Sequence, residues 1–203
     1  MKEKIKDVII LENEILINIK NRRSIRNYKS QQVPKDILER ILETALYAPS
    51  GSNHKLSLFT AIQNDEILNE LNEIVRKALV NSENLTNSFI EAAKRRAENP
   101  KDNFFYHAPT LIIGSNLSGY PNAIADCAVA IENMMLAAHS IGVGSCWINQ
   151  LRWLDEDLSI RNFLDKISVP KEHMICGALA LGYMDGAMPN SIERKWDSIQ
   201  IIK

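Results

Sequence analysis

Apolar residues recur at helical spacing along several stretches of the chain. Ile5, Val8 and Ile9, then Ile15, Leu16 and Ile19, place one or two helical pieces within residues 1–20. Ile37, Leu38, Ile41, Leu42, Ala45 and Leu46 line one face of the next helix. Pro34 lies in its first turn, where a missing N–H costs nothing, and Pro49 ends it. Ile67, Leu68, Leu71, Ile74, Val75 and Ala78 form a further helical face, with Asn64 and Asp65 as its cap. A long Ala/Met-rich helix spans residues 123–141 and is closed by Gly142, and Asp155 opens another that runs through Phe163 and Leu164. Between these lie shorter apolar runs at 56–62, 110–115, 142–148 and 173–183, which predict buried strands. Residues 198–202 predict a short terminal strand. Residues 80–103 are polar and loosely helical, with Lys94, Arg95 and Arg96 on a solvated face.

Few strands interspersed with many helices predict one α+β domain built on a central sheet and spanning residues 1–203. The helix at 123–141 is apolar enough to suggest a membrane span, but it carries Asp126, Glu132, Asn133 and His139. A carboxylate in lipid costs roughly 2.5–3.5 kcal/mol on insertion scales, so this helix is expected to be buried in protein, at a core or a subunit interface. The apolar Ile199, Ile201 and Ile202 at the chain end would be an exposed edge hazard unless they pair with another strand, which a partner subunit could supply.

Charge narrows the function classes. Lys plus Arg number 24 and Asp plus Glu 25, for a net charge of −1. Nucleic-acid binders need a basic surplus to displace counterions, so nucleic acid is not expected as a partner. Cys127, Cys146 and Cys176 are odd in number and form no C-x-x-C pair. They are expected to be reduced thiols, without disulfide or zinc. The N-terminal residues lack the apolar core of a signal peptide. Together these features predict a cytoplasmic protein with no membrane partner.

Four segments could carry chemistry. Arg22, Arg23, Ser24 and Arg26 place three guanidinium groups and a hydroxyl within five residues, a donor set suited to phosphate oxygens. Alone, the segment serves equally as a solvated basic turn. Pro49, Ser50, Gly51, Ser52 and Asn53 form a loop of small residues that could approach a flat ligand or simply terminate a helix. Gly142 and Gly144 lead into Trp147, Ile148, Asn149 and Gln150, where a backbone N–H could face a ring nitrogen. Arg194 and Lys195 form a late basic pair. No G-x-G-x-x-G, Walker lysine or G-x-S-x-G motif occurs, and the four histidines are too scattered for a metal set.

Taken in order, these segments carry a resemblance. Tyr28 follows the arginine segment, Ala48 precedes the small-residue loop, and Tyr106-His107-Ala108-Pro109 precedes a strand. Asp126 stands near the start of the long helix, and Gly182-Tyr183 precedes the last basic pair. From about residue 16 to residue 202 the chain resembles the FMN-dependent nitroreductase family. The resemblance implies an α+β fold with a mostly antiparallel central sheet flanked by helices. It also implies a domain-swapped homodimer in which the C-terminal strand joins the partner's sheet. It implies FMN at the dimer interface and NADH or NADPH as electron donor. The acceptor would be a nitroaromatic, a quinone or a similar electron-poor small molecule, reduced by a ping-pong hydride mechanism.

Residue by residue, Arg22, Arg23, Ser24 and Arg26 match the motif that grips the phosphate, ribityl chain and pyrimidine edge. Pro49, Ser50, Gly51 and Asn53 match the loop that the other subunit lays against the flavin. Trp147, Ile148, Asn149 and Gln150 match the strand end behind the ring system. Arg194 and Lys195 match late basic residues near the phosphate. Residues 1–15 are then an N-terminal helical extension, and 80–103 a possible lid. The chain departs from the family where Lys55, Leu56 and Ser57 replace the common Gln-Pro-Trp. That departure leaves open a flavin-binding protein with little turnover, or a specialised reductase such as a dehalogenase.

Overall fold

The computed structural model describes residues 13–82 and 87–202. The N-terminal extension expected at residues 1–15 therefore lies largely outside the described residues; α1 (Glu14–Asn21) carries Ile15, Leu16 and Ile19 of the predicted helical face. Asn13 starts α1 by accepting a hydrogen bond from the backbone N–H of Leu16. Next comes α2 (Lys35–Ala45), with Pro34 just ahead of its first turn and Leu38, Ile41 and Ala45 buried. It stops before Pro49, because Leu46 already caps it.

The sheet has four strands in the order β1-β2-β4-β3, all antiparallel. These are β1 (Leu58–Ile62), β2 (Thr110–Leu117), β3 (Gly144–Ile148) and β4 (His173–Gly182). Both central strands are buried on both faces, and their alternation sorts side chains into two cores. Leu111, Ile113, Ala178 and Ala180 face one layer. That layer is built from α3 (Asp65–Asn81), α4 (Ser88–Ala97), α6 (Gln150–Trp153) and α7 (Leu158–Lys166). Ile112, Leu179 and Leu181 face α2 and α5 (Ala123–Ser140) in the other layer. Small residues make room for this packing. A Cβ at Gly177 would lie 2.5 Å from Cζ2 of Trp147, so the indole lies directly on the β4 backbone.

Helix α5 is buried along Cys127, Ala130, Ile131, Met134 and Ala138, as its composition predicts, while Ile124 and Val129 lie on an exposed stripe. No helix among the described residues is long and apolar enough to cross a membrane. Residues 80–103 contain the end of α3 and all of α4, whose Ile90, Ala93 and Ala97 are buried.

Three sequence expectations need correction. Of Lys94, Arg95 and Arg96 only Arg95 is on a solvated face, because Lys94 folds back to Glu91 and Arg96 is drawn to Asp102 and the Phe104 ring. Asp155 does not open a helix: Asp157 caps α7, accepting from the N–H groups of Ser159 and Ile160. Asp155 instead accepts from Ile175 N–H at 2.8 Å and pairs with Arg161 at 3.0 Å, tying α7 to the start of β4. The predicted strand at 198–202 does not form within the chain. A 3₁₀ turn covers Trp196–Ser198, and Ile199, Ile201 and Ile202 are exposed, because no strand edge of the same chain is paired with them.

Candidate functional site

The arginine segment is held against the free edge of β3. Ser24 bridges to Ser145, and Ile25 N–H donates to the Ser145 carbonyl at 2.9 Å. Ile25 is buried over Gly144, where a Cβ would come within 2.8 Å of its side chain. Further along, Lys29 N–H donates to the Tyr183 carbonyl and the Tyr28 hydroxyl donates to the Ile25 carbonyl at 2.7 Å. Burial pushes the Tyr28 phenol far above its usual range, so it remains a neutral structural donor. Ile25 and Tyr28 anchor the segment in the core, with Arg26 and Asn27 exposed between them, and this fixes where the guanidinium groups emerge.

Beside this segment lies a cavity of about 110 Å³, lined by Arg23, His139, Ser145 and the Gly142–Gly144 backbone. Three buried polar atoms of this region have no hydrogen-bond partner: Arg22 Nη1, Arg23 Nε and Ser145 Oγ. Such atoms are costly to leave unpaired. All three can donate, so the region suits an anion. Arg22 is also drawn to Glu132 of α5 at 3.6 Å, and Arg23 Nη1 donates to the carbonyls of Lys20 and Arg22 at the end of α1. Burial, and then the charges of Arg22 and Arg23, hold the His139 imidazole below the usual histidine range. Cys146 is buried on β3 and its thiol is pushed up by that burial, which argues against a nucleophile.

On the other side of Ser24 a second cavity of about 250 Å³ runs along Ser24, Arg26, Asn27 and the chain after β4. The Arg26 guanidinium lies 5.8 Å from the centre of the Tyr106 ring. Arg96, from α4, lies 5.7 Å from the same ring and 5.0 Å from that of Phe104. Asp102 holds Arg96 through two hydrogen bonds of 2.7 and 2.9 Å. Tyr106 and His107 both adopt positive φ, at 58° and 54°. Asn103 supports this turn by accepting from Phe105 and His107 N–H. The sequence marks Tyr106 only as part of a motif ahead of a strand. Its link to Arg26 depends on tertiary contacts.

The small-residue loop is elsewhere. Gly51 N–H donates to both carboxylate oxygens of Asp126, at 3.1 and 3.3 Å, and the Tyr120 hydroxyl donates to the Gly51 carbonyl. A Cβ at Gly51 would meet the Asn122 amide and the Tyr120 hydroxyl, so a side chain there would displace both and with them the Tyr120 hydrogen bond. Ser52, Asn53 and Lys55 follow with φ of 49°, 58° and 52°. Pro49 and Ser50 line a separate small cavity with Asp126 and Ser57, not the one beside Arg23.

Residues 19–183 match the profile of the Nitroreductase family. The chain belongs to the nitroreductase family. Among solved structures, a nitroreductase with bound FMN from Bacteroides fragilis is 42% identical, with a TM-score of 0.86, covering 94% of this chain and 100% of that one. A protein of Archaeoglobus fulgidus, provisionally named an NADH dehydrogenase/NAD(P)H nitroreductase, is 30% identical over 172 residues, covering 84% of this chain and 85% of its own length. The 4-nitrobenzoate reductase of a Nocardioides strain is 26% identical over 205 residues, covering 84% of this chain and 81% of its own length.

Within this nitroreductase-family chain the predicted residues fall into separate groups. Arg22, Arg23, Ser24 and Arg26 meet the β3 edge at Ser145. Trp147 and Ile148 lie further along β3. Ile148 is buried in the core, and Trp147 Nε1 donates to Asn149 Oδ1 at 2.6 Å. Gln150 begins α6. Pro49, Ser50, Gly51 and Asn53 form the distant loop held by Asp126. Arg194 and Lys195 lie on the exposed stretch after β4 and make no hydrogen bond or ion pair among the described residues. Sequence reasoning missed Asp126 as the anchor of the loop, Arg96 and Asp102 as partners of Tyr106, and His139 as a wall of the anion cavity. Asp126 was legible as a carboxylate near the start of an apolar helix. The others carried no local signal.

Proposed function

We propose that this protein is an FMN-dependent NAD(P)H oxidoreductase that reduces nitroaromatic, quinone or similar electron-poor acceptors. The observation that carries the reading is the set of unpartnered buried donors, Arg22 Nη1, Arg23 Nε and Ser145 Oγ, beside the β3 edge. They suit the phosphate of FMN in charge and in donor chemistry. FMN, when bound, would supply the redox chemistry of a ping-pong hydride cycle between NADH or NADPH and the acceptor. Arg22, Arg23 and Ser24 hold the phosphate and ribityl end. Arg26, stacked on Tyr106, stabilises negative charge at the pyrimidine edge. The strand end at Trp147–Gln150 forms the wall behind the ring system, with Arg194 and Lys195 closing on the phosphate. Residues 80–103 reach the site through Arg96 on the Tyr106 ring, which supports their reading as a lid.

The site is completed by a second copy. Pro49 and Ser50 line a different cavity from Arg23 of their own chain, so we assign their loop, with Gly51 and Asn53, to the partner's flavin. Exposed Ile15, Ile19, Leu46, Tyr47, Ile124 and Val129 supply the apolar surface of a homodimer, and residues 198–202 supply the exchanged strand.

Absorbance of the purified protein tests the reading, followed by anaerobic addition of NADH or NADPH. The expected result is a yellow protein bleached within seconds and recoloured by a nitroaromatic or a quinone. A colourless protein that takes up no added FMN overturns it. A yellow protein that neither cofactor bleaches would instead support the flavin binder with little turnover that Lys55, Leu56 and Ser57 leave open.

A further inference from the structure

We propose that His139 is a further side chain for the cofactor's phosphate, placed beside Arg23 and Ser145 in one cavity, and that the phosphate binds there together with a proton. The inference rests on the FMN reading above and extends it to a residue outside the arginine motif.

The geometry comes first. His139 lies in the last turn of α5 and lines the same 110 Å³ cavity as Arg23 and Ser145. Ser145 is almost wholly buried, yet its hydroxyl has no partner, and neither has Arg23 Nε. This wall is therefore built for a ligand with several acceptors. The charges that act on the imidazole are Arg22 and Arg23, from the segment after α1, and Arg22 is in turn paired with Glu132, two turns back on α5. The chain after β4 contributes Met184 and Met188 to the cavity, and the approach to β3 contributes Gly142, Val143, Gly144 and Ser145, none of them charged.

Burial, and then the two guanidinium groups, lower the imidazole's proton affinity below that of an ordinary histidine. A phosphate dianion reverses this balance. It offsets the repulsion from Arg22 and Arg23 and gives the imidazolium an acceptor. The carbonyl end of α5 favours the same charge. The histidine pKa then rises on binding, so phosphate and proton bind cooperatively. No bond is made or broken beyond the N–H of the imidazole.

Calorimetric titration of FMN into cofactor-free protein at pH 7, in two buffers of different ionisation enthalpy, measures the proton uptake. The wild type is expected to take up a larger fraction of a proton than His139→Gln, and riboflavin, which lacks the phosphate, should abolish the difference. His139→Gln should also bind FMN up to about tenfold more weakly at pH 6.5, with the gap closing at pH 8.5. Imidazole NMR titration of the wild type with and without FMN needs no variant, and one histidine should titrate at higher pH in the loaded protein. Equal proton uptake in both proteins, or no histidine moved by FMN, overturns the proposal while leaving FMN binding intact. A wild type that binds no FMN overturns both readings.

Discussion

Arg22 and Ser24 act, in the reading above, as charge-assisted and neutral donors to one phosphate. Such a contact is worth about 1.5–3 kcal/mol when one partner is ionised. Arg22→Ala is therefore expected to weaken FMN binding by roughly ten- to a hundred-fold. Ser24→Ala should weaken it less, since a neutral hydroxyl is lost. Fluorescence titration of FMN checks both, with gel filtration to show that assembly persists. Unchanged affinity in both variants would mean that the phosphate sits elsewhere. The guanidinium cluster was legible from sequence because five consecutive residues contain it. The hydroxyl of Ser145 was not legible, because nothing in Gly144-Ser145-Cys146 reveals that its side chain is buried without a partner.

Among the elements, α7 shows how local signals compete. Asp155 and Asp157 are two residues apart and either could cap a helix by propensity. Asp157 caps, and Asp155 is claimed by Arg161 and by the N–H of Ile175 on β4. Asp157→Ala is expected to lower stability by about 1 kcal/mol, the usual cost of losing an acidic N-cap. A shift of the urea midpoint without a change in slope would show this. A neutral result would place the cap elsewhere. The glycine-led strand β3 is legible in its apolar run, and so are β2 and β4, whose runs are apolar because both faces are buried. The short helix α6 was not, because four residues carry no readable period.

The whole molecule leaves apolar surface without a partner in the chain. Ile199, Ile201 and Ile202 are 56%, 71% and 88% exposed, and the outer stripes of α1 and α5 add Ile15, Ile19, Ile124 and Val129. A chain end of this composition gains most by pairing with a strand edge of a second copy. Removing residues 198–202 is therefore expected to shift the protein from dimer toward monomer at micromolar concentration, as sedimentation would show. An equally stable truncated dimer would contradict strand exchange. In the proposed dimer the loop at 49–53 would serve the partner's site, since Pro49 and Ser50 line a different cavity from Arg23 of their own chain.

The sequence by itself determined the helical faces, the four strands, the basic segment and the small-residue loop. Each is written in residues close together in the chain, where periodicity, proline and glycine act directly on the backbone. Only the tertiary structure decided which polar atoms lose water without gaining a partner, and which distant groups share one field. Arg22 and Arg23 precede His139 and Ser145 by more than a hundred residues of chain, yet the edge contact of Ser24 with Ser145 brings Arg23, Ser145 and His139 to one cavity and puts Arg22 close enough for its charge to act on His139. Burial and charge proximity are properties of that arrangement, so no local pattern in the chain could express them.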